Sequence, residues 1–150
     1  MNCHESDSLY HVFYQVIRLH YYRTHTQLNK IGLYPGQPPM LHVLYVKDGQ
    51  SQKELANKLE IKPATITVML NRMEKSKLVE RRQDPEDQRI SRVYLTEHGR
   101  EICQEMNKIV KSIESECFSN FTMEEQVLLR RLLMQMRDNL LKVCDKKVDI

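Results

Sequence analysis

The chain has 150 residues, with 23 Lys and Arg against 20 Asp and Glu, a formal charge of +3 and only four glycines. That length is most simply one domain, and no apolar run approaches the ~20 residues of a membrane span, so no membrane partner is expected. There is no G-x-S-x-G, no Gly-rich phosphate loop and no H-E-x-x-H, which argues against an enzyme and leaves no cofactor to expect.

In chain order, residues 6–30 read as a long helix, with Leu9, Val12, Phe13, Val16 and Ile17 along one face. Tyr10, Tyr14, Tyr21 and Tyr22 add further apolar surface. Two readings stand: one sticky face for the domain and one for a partner, or a single wide core face with tyrosines snorkelling at its rim. The opening MNCHESDS has neither a basic n-region nor an apolar h-region, so the expected location is the cytoplasm. In that compartment Cys3, Cys103, Cys117 and Cys144, widely spaced, are expected to be free thiols.

Turn formers fill Asn29 to Gly36, and Gln37 to about Lys47 then predicts a short helix with Pro38 and Pro39 in its first turn. Asp48-Gly49 stops it. Ser51 and Glu54 form a capping box that starts the next helix, whose stripe is Leu55, Ala56 and Leu59. Pro63 breaks that helix and opens another, in which Ile66, Met69, Leu70 and Met73 recur at the spacing of one buried face.

The opposite face of this helix presents Ala64, Val68, Asn71 and Lys75, flanked by Thr65, Thr67 and Arg72. These side chains suit double-stranded DNA: Lys and Arg for phosphates, Asn bidentate to adenine, and a Val or Thr methyl against the thymine methyl. The alternative is a solvated face with one stray valine.

Leu78 to Arg82 and Ile90 to Leu95 alternate like strands around the turn-rich Gln83 to Arg89, which predicts a hairpin. Six basic residues (Lys62, Arg72, Lys75, Lys77, Arg81, Arg82) face two acidic ones (Glu74, Glu80) between Ile61 and Arg82, and Arg92 follows on the second strand. Positive charge concentrated in this way draws a polyanion.

Thr96 can cap a helix to about Phe118, and Thr122 with Glu125 is a second capping box, opening a helix through about Cys144. Val127, Leu128, Leu132, Met136 and Leu140 line its inner side, with Leu129, Leu133 and Leu141 beside them. Such helices are too apolar to stand alone, and with the first helix they predict a cluster distinct from the DNA-reading unit. A lone helix-turn-helix touches one short stretch of groove, so a two-fold dimer on half-sites one helical turn apart is the expected geometry.

The segment Asp84-Pro-Glu-Asp87-Gln-Arg89, followed by Leu95-Thr96-Glu-His-Gly99, resembles the D-x-x-D-x-R wing and L-T-x-x-G of the MarR family of bacterial transcription regulators. Gly32-Leu33 with Gln37-x-x-x-Leu41 is similar to another segment of that family. The resemblance implies a mainly α fold with a small β-hairpin wing: a winged helix-turn-helix over residues 37–96, with dimerisation helices over 6–30 and 97–145. It implies that the helix from Pro63 lies in the major groove while Arg89, held by Asp87, enters the minor groove. A narrow A·T-rich groove concentrates negative potential and suits a guanidinium. Asp87 also reads as a loop carboxylate capping its own turn.

The resemblance further implies a homodimeric repressor released by a small, often aromatic, effector. Tyr21, Tyr22, His42 and Tyr45 are candidates to line an effector cleft, or are ordinary core and rim residues. Three alternatives stay open: a winged-helix module that binds protein, a metal sensor and a redox sensor. His4, His20, His25, His42 and His98 lack a ligand spacing, so no metal ligand is assigned. Cys103, Cys117 and Cys144 lie on or near apolar stripes, where a thiol is usually inert.

Overall fold

A computed structural model describes residues 8–144. Expectations that fall on Cys3, His4 and residues 6–7 lie outside the described residues. Helix α1 (Leu9–Lys30) has Ser8 as its N-cap, the hydroxyl accepting from the His11 amide at 3.2 Å. Helix α2 (Gln37–Val46) opens on Pro38 and Pro39 as the spacing predicts. Helix α3 (Gln52–Lys58) starts from the Ser51–Glu54 capping box, with both reciprocal bonds formed. Helix α4 (Pro63–Lys75) starts at the proline.

Glu60, at φ 50°, closes α3, and Lys77, at φ 57°, closes α4. Each is followed by an amide bonded back into the helix just ended: Ile61 to the Ala56 carbonyl at 3.1 Å, and Leu78 to that of Met73 at 2.9 Å. These left-handed residues turn the chain sharply, from α3 into α4 and from α4 into the wing.

Strands β2 (Val79–Gln83) and β3 (Ser91–Leu95) pair antiparallel from Val79–Leu95 to Gln83–Ser91. The expected hairpin is the larger part of a three-stranded sheet, because β1 (Gln50–Ser51) adds to the other edge of β3. Two residues carry no alternation, so β1 leaves no sequence signal.

The core gathers fully buried Leu33, Met40, Leu41, Leu44, Leu55, Ile66, Leu70, Met73 and Val93. Leu28 from the end of α1 joins it, as do Cys103 and Met106 from helix α5 (Glu97–Cys117). By compactness the described chain divides within α5, into residues 8–113 and 114–144. Gly99 explains the L-T-x-x-G pattern physically. A Cβ there would lie 2.0 Å from the Leu78 carbonyl oxygen, so only glycine lets the first turn of α5 press on the start of β2. Thr96 caps that turn, accepting from the Gly99 amide at 2.9 Å and donating to the Lys77 carbonyl.

Helix α6 (Met123–Val143) opens on the Thr122–Glu125 capping box and buries no residue. Its expected inner side is largely open, Leu128 being 50% exposed. Most of the apolar face read on α1 is likewise exposed, including Leu9, Val12, Val16 and Ile17. No helix among the described residues is long and apolar enough to cross a membrane.

Candidate nucleic-acid interface

The expected inner face of α4 is buried at Ile66, Leu70 and Met73 and half-buried at Met69, which fixes the rotation of the helix. Ala64, Thr65, Thr67, Val68, Asn71, Arg72 and Lys75 consequently stand on its other side, with Lys62 at the N-cap. Val68 is 52% exposed. Thr67 donates to the Pro63 carbonyl at 3.0 Å and accepts from Gln52 Nε2 at 3.3 Å, which ties the first turn of α4 to α3. Beside this face a groove of about 710 Å³ runs between the turn at Gly32, Tyr34 and Pro35 and the side chains of Thr65, Val68 and Arg72.

Two arginines expected to grip DNA are committed within the protein. Arg81 Nη2 donates to Glu74 Oε2, and at 2.6 Å to Asn71 Oδ1; Glu74 Oε1 also accepts the Arg81 amide at 3.1 Å. The bond from Arg81 lowers the Glu74 pKa from the usual carboxylate value. Arg92 Nε donates to Asp84 Oδ2 and Nη1 to the Gly49 carbonyl at 3.0 Å, while Nη1 lies 3.7 Å from Glu54 Oε2. Arg92 thereby binds the wing turn to β1 and to the start of α3.

Asp84, which the sequence places in the wing motif without a role of its own, organises the wing turn. Its Oδ1 accepts from the amides of Glu86 at 2.8 Å and Asp87 at 3.1 Å, and the residue is buried. The Arg92 hydrogen bond first, and the two amides second, hold its pKa below the ordinary value. The same pairing raises that of Arg92. An aspartate accepting amides two and three residues ahead is an Asx turn, so Asp84-Pro-Glu could have signalled it; its ion pair with Arg92 could not be read locally.

Asp87 Oδ1 accepts the Arg89 amide at 3.0 Å and lies 3.8 Å from Arg89 Nε. The Arg89 side chain is 94% exposed at the wing tip. Arg82 pairs with Glu80 and lies over the Tyr94 ring, 4.8 Å from its centroid. The cationic surface offered outward next to α4 is thus Lys62, Arg72 and Lys75, extended by Arg89 on the wing.

Tyr21, Tyr22, His42 and Tyr45 are all exposed, Tyr21 lying against His25 with ring centroids 4.1 Å apart and planes tilted by 57°, and none lines the groove beside α4. Cys103 is buried, and desolvation pushes its thiol up to about 11, the opposite of a reactive cysteine. Cys117 and Cys144 are exposed free thiols.

The MarR family model matches residues 33–91. Two curated relatives from Bacillus subtilis (strain 168) are each called an uncharacterized HTH-type transcriptional regulator. YdgJ is 36% identical over 73% of this chain and 66% of its own length, just under two thirds. YsmB is 33% identical over 73% of this chain and 75% of its own. Among solved structures, a mutant of S. aureus MepR has a TM-score of 0.80 at 23% identity, covering 89% of this chain and 98% of that one. The transcriptional repressor CouR, bound to a 23-mer DNA duplex, has a TM-score of 0.74 at 22% identity, covering 91% and 98%. The chain belongs to the MarR family: it is an HTH-type transcriptional regulator with a winged-helix fold, and not an enzyme.

Proposed function

We propose that this regulator binds a roughly palindromic operator as a homodimer, with α4 in the major groove and the wing in the minor groove, and represses by occupying the site. The observation that carries the reading is the pairing of an exposed, non-acidic α4 face with an arginine 94% exposed at the end of a braced wing. Ala64, Thr65, Val68 and Asn71 offer contacts to base edges, and Lys62, Arg72 and Lys75 offer contacts to phosphates. Arg81 and Arg92 serve as positioning residues, since both guanidiniums are taken up inside the protein.

The dimer reading rests on the helices outside the reading lobe. An amphipathic helix as long as α6 that buries none of its leucines within its own chain needs a partner surface, and a second copy supplies one by two-fold symmetry. Release by a small aromatic effector is the accompanying reading, with Tyr21, Tyr22, His42 and Tyr45 offering exposed rings and polar tips.

The test is fluorescence anisotropy of the full chain on genomic fragments that it retains at physiological salt. Arg72→Glu and Arg89→Glu should each weaken binding by at least about tenfold while leaving the circular dichroism unchanged. The log–log salt dependence should flatten by about 0.9 for each phosphate no longer neutralised. A folded protein that retains no DNA fragment, or charge reversals without effect, would transfer the surface to a protein partner. Sedimentation as a stable folded monomer at micromolar concentration would reject the dimer.

A further inference from the structure

One amide on the outward face of α4 has its orientation already decided. Arg81 Nη2 donates to Asn71 Oδ1 at 2.6 Å. The guanidinium is itself held by the Glu74 carboxylate and lies with Nη1 3.4 Å from Gln52 Oε1, so it is braced on more than one side. Guanidinium groups carry donors only, so the oxygen of Asn71, and not its nitrogen, must face Arg81. Asn71 is exposed, which leaves its two N–H donors for a group outside the molecule.

Bidentate recognition of adenine needs both halves of an asparagine amide: the oxygen for N6–H and an N–H for N7. Here the oxygen is engaged. A donor pair pointed outward is matched by guanine, which presents N7 and O6 as adjacent acceptors in the major groove, and it is opposed by adenine, whose N6 amino group is another donor. We infer that Asn71, oriented by Arg81, reads a guanine edge and discriminates against adenine at one operator position. Asn71 is then a specificity-determining residue, and Arg81 the positioning residue that sets its sense. This rests on the proposed docking of α4 in the major groove.

The experiment uses the full chain and an operator recovered from retained genomic fragments. Each guanine is replaced singly by 7-deazaguanine, which lacks the N7 acceptor, and each adenine by purine, which lacks the N6 amino group. At one guanine the replacement should weaken the wild type by about tenfold, the scale of one specific base contact. It should leave Asn71→Ala and Asn71→Asp unaffected. The aspartate variant keeps an oxygen for Arg81 but has no donor to offer, so it separates reading from folding. Arg81→Ala should lose the discrimination between guanine and adenine at that position, a change that general destabilisation does not produce. A wild-type penalty at an adenine lacking N6 that Asn71→Ala abolishes would overturn the inference. So would a 7-deazaguanine penalty shared equally by wild type and both Asn71 variants, or no penalty at any guanine. In those cases operator binding survives, whereas wild-type protein that binds every fragment alike fails the docking reading and this inference with it.

Discussion

The root and the tip of the wing use the same residue type in opposite states. At the root, Arg92 on β3 is bonded to Asp84 at the start of the wing turn and to the Gly49 carbonyl just before β1, and Arg81 on β2 to Glu74 and Asn71 of α4, so each guanidinium ties a strand to a neighbouring segment. At the tip, Arg89 has its amide fixed by Asp87 while its side chain is 94% exposed. An arginine held by short intramolecular bonds stiffens a structure; one left in water keeps its charge available for a phosphate or a groove. The root holds its arginines in place and the tip leaves one exposed, so substitutions at the two ends should fail differently.

The largest expected effect is at the root's anchor. Gly99→Ala places a Cβ 2.0 Å from the Leu78 carbonyl oxygen, a backbone atom that cannot rotate away. The overpacking cost, typically about 1–3 kcal/mol and sometimes more, should exceed the ~1 kcal/mol that alanine gains in helix propensity. Thermal unfolding should show a lower Tm for this variant; an unchanged Tm would mean that α5 does not press on β2 as described.

Next comes Asp84→Asn, which removes the carboxylate that joins the turn to Arg92. Operator affinity should fall about tenfold, with the preference for A·T flanks lost, because the tip is no longer aimed. The substitution also has an acid signature. Asp84, Glu54 and Glu74 all have folded pKa values below the ordinary carboxylate range, Asp84 chiefly through Arg92, Glu54 through the Ser51 amide and Glu74 through Arg81. Groups lowered in this way contribute stability that is present above their unfolded pKa of about 4 and lost as the pH falls through the folded values. The wild type should therefore lose stability below about pH 4 more steeply than Asp84→Asn, measured as urea midpoint against pH. Parallel profiles would remove Asp84 from the root.

The smallest effect is expected at Arg82. It is exposed, pairs with Glu80 two residues away and lies over Tyr94, a surface arrangement worth about 0.5–1 kcal/mol at most. Arg82→Ala should leave the urea midpoint nearly unchanged. A large shift would make Arg82 part of the root.

What is legible in the sequence is local. Ser51 with Glu54 and Thr122 with Glu125 announce helix starts, Pro63 opens α4, and Ile66, Leu70 and Met73 give its buried side, because capping and helical spacing act within a few residues. The two strands and Arg89 on the turn between them are readable for the same reason. Long-range pairing is not. Arg92 reads as another phosphate contact because Gly49, which accepts its bond, lies 43 residues away. Asn71 reads as free to take adenine because Arg81, ten residues on, reaches it only after β2 folds back against α4. The third strand, β1, pairs by backbone alone and has no side-chain pattern to read.

The most direct test of the braced root and free tip changes the DNA instead of the fold. Operator flanks are converted from A·T to G·C pairs, widening the minor groove, and binding is measured for wild type and Arg89→Ala at one salt concentration. The wild type should weaken by about tenfold and Arg89→Ala by little, since the variant has no guanidinium to lose. Equal penalties for the two proteins would contradict an arginine in the groove.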